Sequence, residues 1–219
     1  NPAARQKHRA QFFIPSTYAG CDGRTHSVQM ECGLFGALAV DIDTGNHELL
    51  TVAAAVAAVT GGARAEIYSS SSAQPDNRKW RVLVPLATSI PGRDYADTQK
   101  AFFELLGAHG MACDVALSRP GQPVYLPNVP PKYRDRDGRP VFYQSWHVPG
   151  PLLELSPGHA IVEAREGLAS ARAADEAAAA EHAAAQRKKR LAYVEATGDD
   201  FEPIAHFNAN NTVADMLAR

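Results

Sequence analysis

The sequence predicts an α+β fold, with helices on one face of a mostly antiparallel sheet and a helical extension behind it. Three observations carry that expectation. A continuous apolar run from Leu34 to Val40 ends in Asp41-Ile42-Asp43 and the turn residues Thr44-Gly45-Asn46, the pattern of a buried strand and its turn. Short strand-like runs alternate with two stretches of helical density, roughly in the order β-β-α-β-β-α-β-β. After Pro157 the composition changes to Ala with Glu, Arg and Lys, which favours a long helix over 160–196.

Taken in order, residues 1–27 are polar and mixed, with Lys7, Arg9 and Arg24 but little periodicity. Two extended segments are expected between Val28 and Asp43. Residues 47–60 carry apolar side chains at helical density, and Gly61-Gly62 stop them. Ala65–Ser69 has strand character, and a polar loop over 70–78 turns at Pro75-Asp76-Asn77. Trp80–Leu86 returns to strand, and Asp94–Gly110 is an amphipathic helix closed by glycine. Ala112–Leu117, Val124–Leu126 and Val141–His147 complete the strands. The break at Pro157 divides a domain over 1–157 from a helical region over 158–219. Within that region Thr197–Glu202 is a linker and Val213–Arg219 begins another helix.

The chain has 219 residues, 45% hydrophobic and 21% charged, which suits a packed core. A net charge of −2 argues against nucleic-acid binding through an overall basic surface, so any such binding needs a local patch. Cys21, Cys32 and Cys113 are widely spaced and form no C-x-x-C pair, which speaks against a disulfide framework or a structural zinc site. Reduced thiols in the cytoplasm are expected. No apolar run reaches the length of a membrane span and no signal-peptide pattern opens the sequence, so no membrane partner is expected. The sequence starts at Asn1, stops abruptly at Arg219 and reads as a fragment of something longer.

Asp41 and Asp43 lie two apart at a strand end, so they share a face while Ile42 points to the core. Adjacent carboxylates repel unless a cation sits between them, and hard oxygen ligands suit Mg²⁺ or Mn²⁺. Two solvated acids in a surface turn are the plainer description of D-x-D alone. The serine run Ser70, Ser71, Ser72 leads through a loop to Lys79 and Arg81, again two apart on a strand. Hydroxyl donors beside two cations are what a triphosphate needs. Asp114 stands among apolar residues, where an acid is costly unless paired or metal-bound. Arg187-Lys188-Lys189-Arg190 forms a basic cluster near the end of the long helix, either a solvated helix end or a nucleic-acid contact.

The ordered set is an apolar strand ending in D-x-D, a Tyr-Ser-rich strand at Tyr68-Ser69, W-R-V-x-x-P-L from Trp80, a helix, and an Asp114 segment leading through Arg119 to Tyr125-Leu126-Pro127. Over roughly Leu34 to Pro127 it resembles the archaeo-eukaryotic primase superfamily, in the branch of phage, plasmid and prophage primase-polymerases. The tail Phe201 to Asn208 resembles the segment that follows the core in such proteins.

The resemblance implies an RRM-like catalytic sheet joined to a small N-terminal α/β unit. It implies a metal-dependent nucleotidyltransferase that synthesises primers, with Asp41, Asp43 and Asp114 as catalytic metal ligands for Mg²⁺ or Mn²⁺. Ser70, Ser71, Ser72, Lys79 and Arg81 would bind the nucleotide, while Arg119 and the 187–190 cluster would contact nucleic acid. Expected partners are a single-stranded DNA template, nucleoside triphosphates and a helicase domain or subunit. One departure stands out: the family's second motif ends in a histidine, and Ala73 occupies that place, with Ser70, Ser72 or Gln74 as substitutes. The alternatives are a non-catalytic RRM-like nucleic-acid-binding module and a metal-dependent nuclease.

Overall fold

The longest apolar runs in the sequence form the centre of the fold. In the computed structural model, which describes residues 2–197, β2 (Leu34–Ile42) and β4 (Trp80–Pro91) pair antiparallel, with Val40 opposite Val82 and Asp41 opposite Arg81. β3 (Ala65–Ser69) pairs with the other side of β4, and β6 (Ser145–Val148) pairs with β3. The resulting four-stranded sheet has the order β2-β4-β3-β6 and is antiparallel throughout. A second, two-stranded antiparallel sheet joins β1 (Phe12–Phe13) to β5 (Val124–Tyr125).

Helices α2 (Leu49–Thr60) and α3 (Gly92–Ala108) pack on one face of the large sheet and on each other. Val52, Ala55, Val56 and Val59 of α2 are buried at the i, i+3, i+4, i+7 spacing of a single helical face. α3 buries Tyr95, Gln99, Phe102 and Leu106, while the sheet contributes Leu38, Val40, Ile42, Ile67, Trp80, Val82 and Val84. Each fully buried aliphatic side chain contributes about 1.5–3 kcal/mol, so this layer dominates stability. Gly61 ends α2 at φ +64, a left-handed conformation that costs glycine nothing, and its N–H caps the Ala57 carbonyl. The molecule is therefore a mixed α/β fold with two antiparallel sheets and, among the described residues, four α-helices.

Several expected elements differ. The first of the two extended segments is α1 (His26–Cys32), a short helix packed against α3. Gln29, fully buried on α1, holds the preceding loop by donating to the Tyr18 and Gly23 carbonyls. The strand expected at 112–117 is instead a 3₁₀ turn, Val115–Ser118. Asp114 caps that turn by accepting from the Ala116 N–H at 2.9 Å, and the cap diverts the backbone from a ladder. β5 pairs with β1 rather than with the main sheet, and the last strand begins at Ser145 rather than Val141.

β2 is an edge strand whose outer groups are satisfied without a neighbouring strand. The Gln99 side chain donates to the Ala39 carbonyl at 2.8 Å and the Leu117 carbonyl at 3.1 Å, and accepts from the Ala39 N–H at 3.3 Å. Two residues further on, the Asp114 N–H donates to the Asp41 carbonyl at 2.8 Å. The 114–118 turn thus closes the edge beside Asp41.

The chain divides into two units, 1–169 and 170–219. The first includes the start of α4 (Ala160–Thr197), where Ile161 and Val162 are buried. In the second, α4 continues with exposed side chains over 170–193. The linker over 198–202, the segment Phe201 to Asn208 and the helix expected over 213–219 lie outside the described residues. Among the described residues no helix is long and apolar enough to cross a membrane.

Candidate active site

Strand pairing brings the charged residues into one row. Residues directly opposite in an antiparallel ladder share a face. Asp41 stands opposite Arg81, Arg81 opposite Tyr68, and Tyr68 opposite Ser145. Their neighbours Ile42, Val40, Val82 and Ile67 belong to the buried layer, so by alternation the row occupies the face away from α2 and α3.

Arg81 is the hub. It is 8% exposed; one guanidinium nitrogen donates to Asp41 Oδ2 and another to the Tyr125 carbonyl at 2.9 Å. The Tyr68 hydroxyl donates to the same carbonyl at 2.7 Å. Two buried polar atoms, Asp41 Oδ1 and Arg81 Nε, have no hydrogen-bond partner. A buried pair of this kind is strongly destabilised when one member is removed. Burial pushes the Asp41 carboxyl above the ordinary carboxylate range; Arg81 pulls it back, and the neighbouring Asp43 and Asp114 carboxylates push it up again. Burial opposes the Arg81 charge, but Asp41 and Tyr68 outweigh it and hold the guanidinium charged. Burial drives the Tyr68 phenol up to about 12.

Asp43 follows directly on β2, and its Oδ1 lies 3.5 Å from Lys79 Nζ, just beyond the pair Ile42–Trp80. Asp114 is joined to Asp41 through the backbone, and its own carboxylate caps Ala116. The fold therefore brings Asp41, Asp43 and Asp114 to one end of the sheet. Each carboxylate faces a different partner: Arg81, Lys79 and the Ala116 amide. Among the described residues no three His, Cys, Asp or Glu side chains are gathered as metal ligands. The donors are all carboxylate oxygens, which suits a hard divalent cation, and Oδ1 of Asp41 stays without a partner although Oδ2 is paired with Arg81.

The serine run forms the turn between β3 and β4. The Ser70 N–H donates to the Lys79 carbonyl at 2.9 Å, and the Ala73 N–H closes the turn on the Ser70 carbonyl at 3.2 Å. Ser71 and Ser72 are half-buried in that turn. Ala73 is 3% exposed, a packed methyl group at the end of that turn. The Gln74 amide donates to the Ala73 carbonyl at 2.8 Å. Arg119 is exposed just after the 114–118 turn. Arg187, Lys188, Lys189 and Arg190 are exposed on α4 in the second unit.

Sequence reasoning missed Tyr68 and Tyr125 as site residues. The Tyr125 carbonyl organises Arg81 and Tyr68 from β5, a contact that no local pattern announces. The adjacency of Tyr68 to the serine run was the only signal for the first. Comparison with known protein families, curated proteins and solved structures finds no match for the chain.

Proposed function

We propose that the chain is the core of a DNA primase-polymerase, transferring nucleotidyl groups from nucleoside triphosphates under the direction of a single-stranded template. The observation that carries this reading is the cluster at the end of β2. Asp41, with its orphaned buried oxygen, is near enough to Asp43 and Asp114 to feel both charges, and Arg81 and Lys79 pair with Asp41 and Asp43. The antiparallel sheet with helices on one face is compatible with an RRM-like core.

In this reading Asp41, Asp43 and Asp114 would hold Mg²⁺ or Mn²⁺. Such an ion supplies Lewis-acid charge that lowers the pKa of an attacking 3′-hydroxyl and steadies a leaving pyrophosphate. The chain's own work is positioning and charge neutralisation. Arg81, pinned by Asp41 and Tyr125, fixes the orientation of the Asp41 carboxylate. Lys79, on the more open rim, and the donors of the 70–72 turn beside it are suited to triphosphate oxygens. The buried Ala73 supports a second reading, a non-catalytic nucleic-acid-binding module, because it removes one phosphate contact the family uses.

One assay separates these readings from each other and from a nuclease. The protein is incubated with single-stranded DNA, labelled nucleotides and Mn²⁺ or Mg²⁺. New oligonucleotides support the primase-polymerase, shortened template a nuclease, and template binding with neither product the non-catalytic module.

A further inference from the structure

The small sheet β1–β5 turns one face inward and one outward. Phe13 pairs with Val124, which is 1% exposed, and Phe13 packs against the core. Phe12 pairs with Tyr125 on the opposite face, and Phe12 is 44% exposed although it is a large aromatic residue. The two rings meet edge to face, with centroids 6.0 Å apart. The Arg24 guanidinium stands 5.5 Å from the Phe12 centroid, and the Arg81 guanidinium 5.9 Å from the Tyr125 centroid. A ladder of contacts therefore runs from the surface to the acid site, with two aromatic rings between two arginines: Arg24, Phe12, Tyr125, Arg81, Asp41.

One stretch of backbone ties this ladder to the site. It begins at Asp114 on the edge of β2, passes Arg119, and reaches β5 at Val124. Between them Gly121, at φ +83, packs against Arg24, where an added Cβ would lie 2.9 Å from the Arg24 carbonyl oxygen. His26 Nδ1 contacts the Pro120 carbonyl and fixes the same junction. Arg24 thus stands over Phe12 and packs against the loop that follows Arg119. A cleft of about 250 Å³, lined by Phe12, Ile14, Tyr18 and Arg24 among others, opens beside the ring.

We infer that the Phe12–Tyr125 face is a stacking platform for unpaired bases of a single-stranded nucleic acid whose backbone runs past Arg24 and Arg119. An exposed ring offers a flat π surface to any base, and guanidinium groups beside it match phosphate charge, the combination by which single strands are held without reading sequence. A local pair of arginines also answers how a chain of net charge −2 can hold a polyanion. The continuity of the ladder with Asp41 rests on the reading of that site as a polymerase centre and places the template beside it. Phe12 and Arg24, the residues altered below, take no part in the acid site.

The test uses the full chain in EDTA without nucleotides, so that catalysis does not enter. Fluorescence anisotropy is recorded with a labelled thymidine oligonucleotide, its uridine ribonucleotide counterpart, and an abasic oligonucleotide of the same backbone length. Phe12→Leu keeps apolar bulk and removes the π face. It is expected to weaken binding of the base-containing strands about tenfold or more and to leave abasic binding unchanged. Phe12→Trp is expected to bind at least as tightly as the native chain, and Arg24→Gln to reduce the salt dependence on all three oligonucleotides. Equal loss on DNA and RNA marks a general platform, and loss on one alone names the strand it serves. Unchanged affinity in Phe12→Leu, or an equal loss on the abasic strand, overturns the inference. Either result leaves the acid site standing, because primer synthesis by the native chain is scored separately.

Discussion

At the scale of single residues, Arg81 and Asp43 should behave oppositely although both carry charge in one cluster. Arg81→Ala leaves the buried Asp41 carboxylate and the Tyr125 carbonyl without their donor. It is expected to cost about 3–5 kcal/mol, read as a lower denaturant midpoint. Asp43 has a half-exposed side chain and a 3.5 Å pairing to Lys79, so Asp43→Ala should move stability by less than about 1 kcal/mol. Equal midpoints for the two variants would show that Arg81 is not the counter-charge of Asp41. The thiols provide a second check. Cys21 and Cys32 are exposed, while burial drives the Cys113 thiol up to about 12. A folded-state value raised this way favours the neutral thiol, so the stability it contributes is complete below the ordinary thiol range and is lost as pH rises toward 12. At pH near 8 a thiol-specific disulfide reagent should label Cys21 and Cys32 quickly and Cys113 only on unfolding. The pairs Asp41/Asp43 and Lys79/Arg81 were legible as strand residues two apart, but Arg81 was expected on nucleotide phosphates rather than on Asp41. The Tyr125 carbonyl was not legible, because backbone acceptors carry no residue signature.

At the scale of elements, the edge of β2 is closed by a side chain where a strand was expected. Gln99→Leu keeps the volume of α3 but orphans the Ala39 N–H and carbonyl and one bond to Leu117. It should destabilise by about 1–3 kcal/mol in equilibrium denaturation, with secondary structure intact by circular dichroism. No loss would mean that water replaces the amide at that edge. β2, α2, β3, β4 and α3 were legible because each carries its own apolar run or periodicity over five or more residues. The 112–117 segment has the apolar content of a strand, and the Asp114 cap reverses that preference through a local bond. β1 has only Phe12 and Phe13 and exists because it meets β5, far away in sequence, so no window around it reveals a strand. The last strand is short and exposed, which blurs its start.

At the scale of the whole molecule, charge must be local because the net charge is −2. The cluster Arg187 to Arg190 occupies successive positions on α4, and consecutive helical residues point around the axis rather than to one side. Replacing all four with Gln should leave nucleotide affinity unchanged. It should lower the salt dependence of single-strand binding by about 0.7 of a logarithmic slope unit for each cation that touches phosphate. An unchanged slope would identify the cluster as a solvated helix end. The three acids decide whether the molecule is an enzyme. Asp41 and Asp43 were legible from strand alternation; that Asp114 joins them follows from a backbone bond to Asp41 across the sheet edge. The most direct measurement is single-turnover extension of a primer–template by one labelled nucleotide in Mn²⁺, comparing the native chain with Asp43→Ala and Asp114→Asn. Extension by the native chain is expected, with a loss of about a hundredfold or more in each folded variant. Extension at the native rate by either variant, or none by the native chain in Mn²⁺ or Mg²⁺, would contradict a catalytic role for the acids.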